Sequence, residues 1–179
     1  MPLLDLPLKI GAEFVDMSVR IAAARPEDCG VLFDLIRALA EYEKLTHLVV
    51  GTPDDLRREL FGERPVIEAV VAWEGDRALG FALFFQNFST FLTRRGLYLE
   101  DLFVVPEARG RGIGKALIRL GARMAVERGC GRYEWAVLDW NTPAIEFYES
   151  IGAIVMPDWR ICRITGEALD RLAAAATAS

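Results

Sequence analysis

Apolar and polar positions change period several times along the chain, and each change marks an element. Ser18 to Ala22 (SVRIA) alternates as a strand does, and Pro26-Glu27-Asp28 then places proline and two acids in a first helical turn. Val31, Leu32, Leu35, Ile36, Leu39 and Tyr42 follow at helical spacing, which predicts an amphipathic helix to about Lys44. Thr52-Pro53-Asp54-Asp55 opens a shorter helix (LRREL) that stops at Gly62. Three β-rich runs come next, Val66 to Trp73, Leu79 to Phe88 and Leu97 to Val105, and their short links predict an antiparallel meander. Beyond Pro106 a glycine-punctuated turn leads into Lys115 to Arg128, with Ala116, Leu117, Leu120, Met124 and Ala125 on one helix face and Gly129 at its end. A strand from Tyr133 to Trp140, a helix from Ala144 to Ser150 closing at Gly152, a strand at about Arg160 to Thr165 and a helix from Glu167 to Ala175 complete the pattern.

The expected order is β α α β β β α β α β α, a mixed α+β domain without internal repeats. Residues 1–17 carry little pattern and read as an N-terminal extension, with the domain spanning 18–179.

Composition narrows the class. The 179 residues are 53% apolar and include four Trp, ten Phe and four Tyr, enough for a real core, while no apolar run reaches the roughly 18 to 20 residues that span a bilayer. Cys29, Cys130 and Cys162 are odd in number and widely spaced, which fits neither a disulfide framework nor a metal knuckle. With His47 as the one histidine, no zinc set and no ready Cys-His nucleophile exist, so no metal is expected and the cysteines read as buried free thiols. The N-terminus lacks a basic segment followed by an apolar one, so the expected location is cytoplasmic.

With 21 Lys and Arg against 26 Asp and Glu, the formal charge of −5 argues against general nucleic-acid binding and suits a cationic substrate. The mean hides an asymmetry. From Arg109 to Arg123 the chain holds five basic residues and no acid, so the remainder carries −10.

That basic stretch begins at Arg109-Gly110-Arg111-Gly112-Ile113-Gly114-Lys115, which joins an apolar strand to a long helix. Spaced glycines let the backbone turn tightly and approach a ligand, and the unpaired N–H groups at a helix start attract phosphate. The spacing is not GxxxxGK[ST], and no acid ends a second parallel strand about 20 residues on, as a dinucleotide fold requires.

The R-x-x-G-x-G turn between strand and helix instead resembles the acyl-coenzyme A site of the GNAT superfamily of N-acetyltransferases. Asn141-Thr142-Pro143-Ala144-Ile145-Glu146-Phe147-Tyr148, running on to Gly152-Ala153, is similar to that family's N-x-x-A-I-x-F-Y block. Ala40-Glu41-Tyr42-Glu43, Phe61-Gly62-Glu63, Tyr98 to Val104 and Trp140-Asn141 together resemble its diamine (spermidine/spermine) acetyltransferase branch. The resemblance covers Val19 to about Leu172. It implies the GNAT fold, a mostly antiparallel twisted sheet with flanking helices, acetyl-CoA as acetyl donor and a homodimer.

The resemblance also implies roles residue by residue. Arg109, Gly110, Arg111, Gly112, Ile113, Gly114 and Lys115 would hold the pyrophosphate, the backbone of Leu102, Phe103 and Val104 would pair with the pantetheine arm like an added strand, and Asn141 and Ala144 would touch the cofactor. Tyr148 resembles the acid that protonates the departing thiolate.

Acetyl transfer to an amine needs an acceptor for the ammonium proton. Glu100, in the apolar strand Leu97 to Val105, is the candidate; alternation turns its neighbour Asp101 to the opposite face, where a structural role is expected. Tyr42, Glu43, Glu100, Asp158 and Trp159 offer an acidic and aromatic lining for a small cationic amine such as a polyamine, diamine or lysine-like amino acid. The acidic stretch that animal members of the branch carry before the tryptophan is reduced here to Met156-Pro157-Asp158. Two other readings keep the cofactor: a transferase acting on a protein N-terminus or lysine, and an acyl-CoA-binding regulatory module.

Overall fold

The computed structural model describes residues 13–15 and 18–175. The chain divides into two compact units, residues 1–136 and 137–179.

The first unit is built on one six-stranded sheet whose spatial order follows the chain: β1 (Glu13–Phe14), β2 (Val19–Ala23), β3 (Glu68–Glu74), β4 (Arg77–Ser89), β5 (Arg94–Val104) and β6 (Tyr133–Trp135). All neighbours pair antiparallel except β5 and β6, which are parallel. The β3–β4–β5 meander is the one expected from the sequence. Glu13–Phe14 adds an edge strand within the stretch read as an extension, while residues 1–12, 16 and 17 lie outside the described residues.

Helices α1 (Cys29–Tyr42) and α2 (Pro53–Phe61) cover one face of the sheet. Cys29, Leu32, Leu35, Leu39 and Leu60 meet Ala69, Val71, Phe81, Leu83 and Phe103 there in a buried cluster. Helix α2 starts where its local chemistry demands: the Thr52 hydroxyl accepts from the Asp55 N–H at 3.2 Å, and the Asp55 carboxylate accepts from the Thr52 N–H at 3.0 Å. Helix α3 (Ile113–Glu127) packs on the opposite face, burying Ile113, Leu117, Leu120 and Met124. Its approach is close at Gly121, where a Cβ would stand 2.9 Å from the Phe84 ring and 2.3 Å from the Tyr133 hydroxyl. Leu83 and Phe84, adjacent on β4, thus serve the two faces in turn.

The second unit holds α4 (Thr142–Ser150) and α5 (Glu167–Ala175). Tyr148 is its one buried side chain among the described residues.

Two expectations are corrected. β6 stops at Trp135 instead of reaching Trp140, because its partner β5 leaves regular geometry just past Leu99, the last paired residue. The strand expected at about Arg160 to Thr165 is not formed: these residues are exposed and extend no ladder, and alternation alone yields a strand only where an edge accepts it. Of the cysteines, Cys29 is buried, Cys130 is half-buried and Cys162 is exposed, and all three are free thiols.

Candidate functional site

The site begins with one extra residue in β5. Leu83 on β4 faces Asp101 and Phe84 faces Leu99, so Glu100 has no partner opposite and forms a β-bulge. The bulge breaks the alternation assumed from sequence. Leu99 shares the α3 face with Phe84, whereas Asp101 shares the α1 face with Leu83, and Glu100 stands exposed between them.

The bulge also opens an edge. β6 pairs with Leu97, Tyr98 and Leu99 only, so no strand among the described residues covers β5 from Glu100 to Val104 on that side. The Val105 N–H donates to the Leu79 carbonyl at 2.9 Å, which sets the ladder phase. By antiparallel alternation, the peptide groups of Phe103 face β4, while those of Leu102 and Val104 face the open edge. Two of the three backbone positions expected to meet a pantetheine arm, Leu102 and Val104, therefore face the open edge, where the Val104 carbonyl accepts from the Arg109 Nε at 3.0 Å.

The edge leads directly into the glycine turn. A short 3₁₀ segment, Pro106–Ala108, is followed by extended Arg109, then Gly110 at φ 77° and Gly112 at φ 82°, both in the left-handed region that favours glycine. Helix α3 starts at Ile113, and its first intrahelical bond here runs from the Ala116 N–H to the Gly112 carbonyl at 3.0 Å. The amides of Ile113, Gly114 and Lys115 precede that bond and lie at the positive end of the helix. Among the described residues other than its chain neighbours, no atom lies within 4 Å of where a Gly110 Cβ would be, while a Gly112 Cβ would stand 3.8 Å from Val15. Such a nest of backbone donors fits a diphosphate.

The basic side chains are less uniformly available than the sequence suggests. Arg111 reaches Glu74 at 2.7 Å and Ser18 at 3.2 Å, and Arg123 lies 3.7 Å from Glu127. Arg109 turns back from the turn: its Nε donates to the Val104 carbonyl at 3.0 Å, and its guanidinium lies 4.5 Å from the centre of the Tyr42 ring. Lys115 and Arg119 are exposed on α3.

Acids gather at the other end of the open edge. Glu43 caps the C-terminus of α1, and burial raises its carboxyl above the usual range. Asp101 is pushed up from 3.8 to about 7, first by burial and then by the negative charges of Glu100 and Glu43. Tyr98 packs on Phe85 at 4.8 Å, and its phenol is raised by burial and by Glu100 and Glu134. Glu134 is itself held by Asn87 at 3.0 Å and Arg132 at 2.7 Å. Thus Tyr42, Glu43, Glu100 and Asp101 occupy one end of the first unit, with Tyr98, Phe85 and Glu134 beside them. Of these last three, Tyr98 entered the sequence reading only as part of the Tyr98 to Val104 segment, and Phe85 and Glu134 did not enter it; a bulge has no sequence signature sharp enough to show which face they share.

The remaining candidates belong to the second unit. Asn141 closes the first turn of α4 with its carbonyl, which accepts from the N–H groups of Ala144 and Ile145 at 3.0 Å; its side chain makes no capping bond. Ala144 is half-buried. Tyr148 is 8% exposed and packs against Phe147 with ring centres 5.4 Å apart. Asp158 is exposed, and Trp159 is 71% exposed. His47 is exposed in a 3₁₀ turn, and no cluster of three or more His, Cys, Asp or Glu among the described residues could hold a metal ion. Among the same residues, no helix is long and apolar enough to cross a membrane.

Comparison with known proteins identifies the family. Residues 33–153 match the model of the Acetyltransferase (GNAT) family. Thialysine N-epsilon-acetyltransferase of Mus musculus is 40% identical over 167 residues, covering 87% of this chain and 98% of that protein. L-ornithine N5-acetyltransferase NATA1 of Arabidopsis thaliana is 35% identical over 202 residues, covering 87% and 88% respectively. Among solved structures, an integron cassette protein from the mobile metagenome of V. cholerae matches with a TM-score of 0.74 at 31% identity, over 88% of this chain and 99% of its own.

Proposed function

Since the chain belongs to the acetyltransferase (GNAT) family and is an N-acetyltransferase of small amine acceptors, we propose that it moves the acetyl group of acetyl-CoA to a primary amine of a small cationic molecule. A polyamine, a diamine or a lysine-like amino acid fits. One observation carries this reading: the bulge at Glu100 places an open β5 edge, ending in a nest of backbone amides, directly beside an acidic and aromatic end. The names of the relatives, which specify thialysine and ornithine, support a lysine-like acceptor.

Acetyl-CoA supplies the acetyl group as a thioester. The amides of Gly110 to Lys115 would hold its diphosphate, the backbone of Leu102 and the Val104 N–H would pair with its amide-bearing arm, and the family resemblance assigns Asn141 and Ala144 to the same ligand. Glu43 and Glu100, with the Tyr42 ring, attract and seat the ammonium form of the acceptor. A carboxylate then removes one ammonium proton, the freed amine attacks the carbonyl carbon, and as the C–S bond breaks the nitrogen releases its second proton, which replaces the one that the Tyr148 phenol gives to the thiolate. Sequence reasoning gave the proton to Glu100; Asp101, poised at about 7, is better matched to receive it near neutrality. The Tyr148 phenol donates a proton to the leaving thiolate. Asp158 and Trp159 contribute to the acceptor lining, and exposed Ile154, Met156 and Ile161 offer apolar surface that a homodimer would cover. Three free cysteines suit a cytoplasmic protein whose acetyltransferase domain spans 18–179.

An amine panel assayed by thiol release from acetyl-CoA tests the reading. Turnover with diamines or lysine analogues is expected. Turnover confined to peptides would reassign the acceptor to protein, and saturable acetyl-CoA binding with no turnover would make the chain a binding module.

A further inference from the structure

Arg109 is set apart from the other arginines of the first unit that form close side-chain contacts. Arg25, Arg58, Arg77, Arg111, Arg128 and Arg132 each reach a carboxylate. Arg109, in a chain with excess acid, pairs with none among the described residues; its planar group lies over Tyr42 at 4.5 Å and 5.8 Å from the Phe103 ring, with Nε on the Val104 carbonyl. Three separate pieces therefore meet in one side chain. Its backbone opens the glycine turn, Val104 ends the exposed edge of β5, and Tyr42 is the last residue of α1.

We propose that Arg109 is a positioning residue that couples the donor site to the acceptor site. The proposal rests on the reading of the turn as the diphosphate nest and of Tyr42 as acceptor wall. A diphosphate seated on the amides that follow Arg109 fixes its backbone. The short tether through Val104 then fixes the guanidinium, and the flat guanidinium fixes the Tyr42 ring against which the acceptor's ammonium group packs. Free lysine at this position could not do the same, because its point charge has neither the Nε donor nor a face to stack. Coupling of this kind is reciprocal: donor binding tightens acceptor binding, and acceptor binding tightens donor binding by the same factor. A cation–π contact at a partly exposed site supplies about fivefold.

The test titrates coenzyme A into the full chain by calorimetry, with and without saturating 1,4-diaminobutane, and follows amine KM and kcat separately. In the unmodified protein the diamine is expected to tighten coenzyme A about fivefold. Arg109→Met and Arg109→Lys are each expected to bring that factor close to one and to raise amine KM, while the affinity for coenzyme A alone changes less than about twofold. Tyr42→Phe, which keeps the ring face, should retain the coupling; Tyr42→Leu should lose it, and Arg109→Met combined with Tyr42→Leu should lose no more than either alone. Coupling that survives Arg109→Met overturns the proposal. So does a variant that weakens coenzyme A equally with and without diamine, which would make Arg109 a plain phosphate contact. Failure of the underlying reading looks different: coenzyme A would not bind at all, or Tyr42→Leu would leave amine KM unchanged.

Discussion

Replacing Asp101 by Asn is expected to make the protein more stable at alkaline pH while lowering its activity. In the folded chain the carboxyl ionises only at about 7, because burial and the charges of Glu100 and Glu43 oppose its negative form. Unfolded, it ionises near 3.8. Between those two values the folded state keeps a proton that the unfolded state has lost, so stability falls as pH rises, and the loss is complete above about 7. Three pH units at about 1.4 kcal/mol each give an upper bound of roughly 4 kcal/mol. The side chain is half-buried at its surface, and solvent reaching it reduces the expected effect to about 2 kcal/mol. Asn keeps the shape and never ionises. Urea unfolding of both proteins from pH 5 to 8.5 reads the upper two thirds of that window: the gain of Asp101→Asn over the unmodified chain should grow by about 1 kcal/mol between pH 5 and 7 and then level off, since titrations not coupled to Asp101 cancel in the difference. A difference that stays flat across the range would show that Asp101 titrates as an ordinary carboxylate, and would remove it as the proton acceptor.

Three further outcomes follow from the same geometry. Tyr148→Phe should lose most turnover with acetyl-CoA affinity nearly unchanged; unchanged turnover in the thiol assay removes Tyr148 as the acid. Gly121→Ala should cost about 1–3 kcal/mol in a thermal melt, because its Cβ would lie 2.6 Å from the Tyr133 ring as well as against Phe84, and neither aromatic can move without repacking. Arg128→Met should cost about 2–3 kcal/mol at neutral pH, since Glu68, bound by Arg128 at 2.6 and 2.7 Å and only 17% exposed, would be left as a largely buried lone carboxylate. Arg128→Met with Glu68→Gln should recover part of that loss.

The elements that carry strong periodicity are legible in the sequence. α1, α2, α3 and the β3–β4–β5 meander fall where spacing, caps and glycine stops place them, because local rules and packing agree there. The glycine turn was equally plain, since left-handed backbone at Gly110 and Gly112 leaves few residue choices. What escaped was non-local. Alternation in Arg160 to Thr165 says nothing about whether an edge is available, and alternation in Leu97 to Val105 cannot announce that Glu100 is skipped by its partner strand. That skip puts Asp101 on the α1 face with Leu83. Arg109 was recognised by its place in the motif, but the direction of its side chain toward Tyr42 depends on where α1 ends against the sheet.

A single inserted residue thus does two things that are usually treated as separate. By ending the pairing of β6 at Leu99, the bulge leaves the peptide groups of Leu102 and Val104 without a strand, and an extended amide-bearing ligand can supply the missing one. By shifting the parity of β5, it turns Asp101 toward α1 and into the field of Glu43, which is what raises its proton affinity. The open edge and the raised carboxyl of Asp101 therefore trace to the same backbone irregularity, only a few residues apart. The spacing between that edge and the Asp101 carboxyl is set by the ladder to β4. The charge pattern follows the same axis: acids gather at the bulge, bases follow Arg109, and the overall −5 is the residue of two opposed ends of one strand.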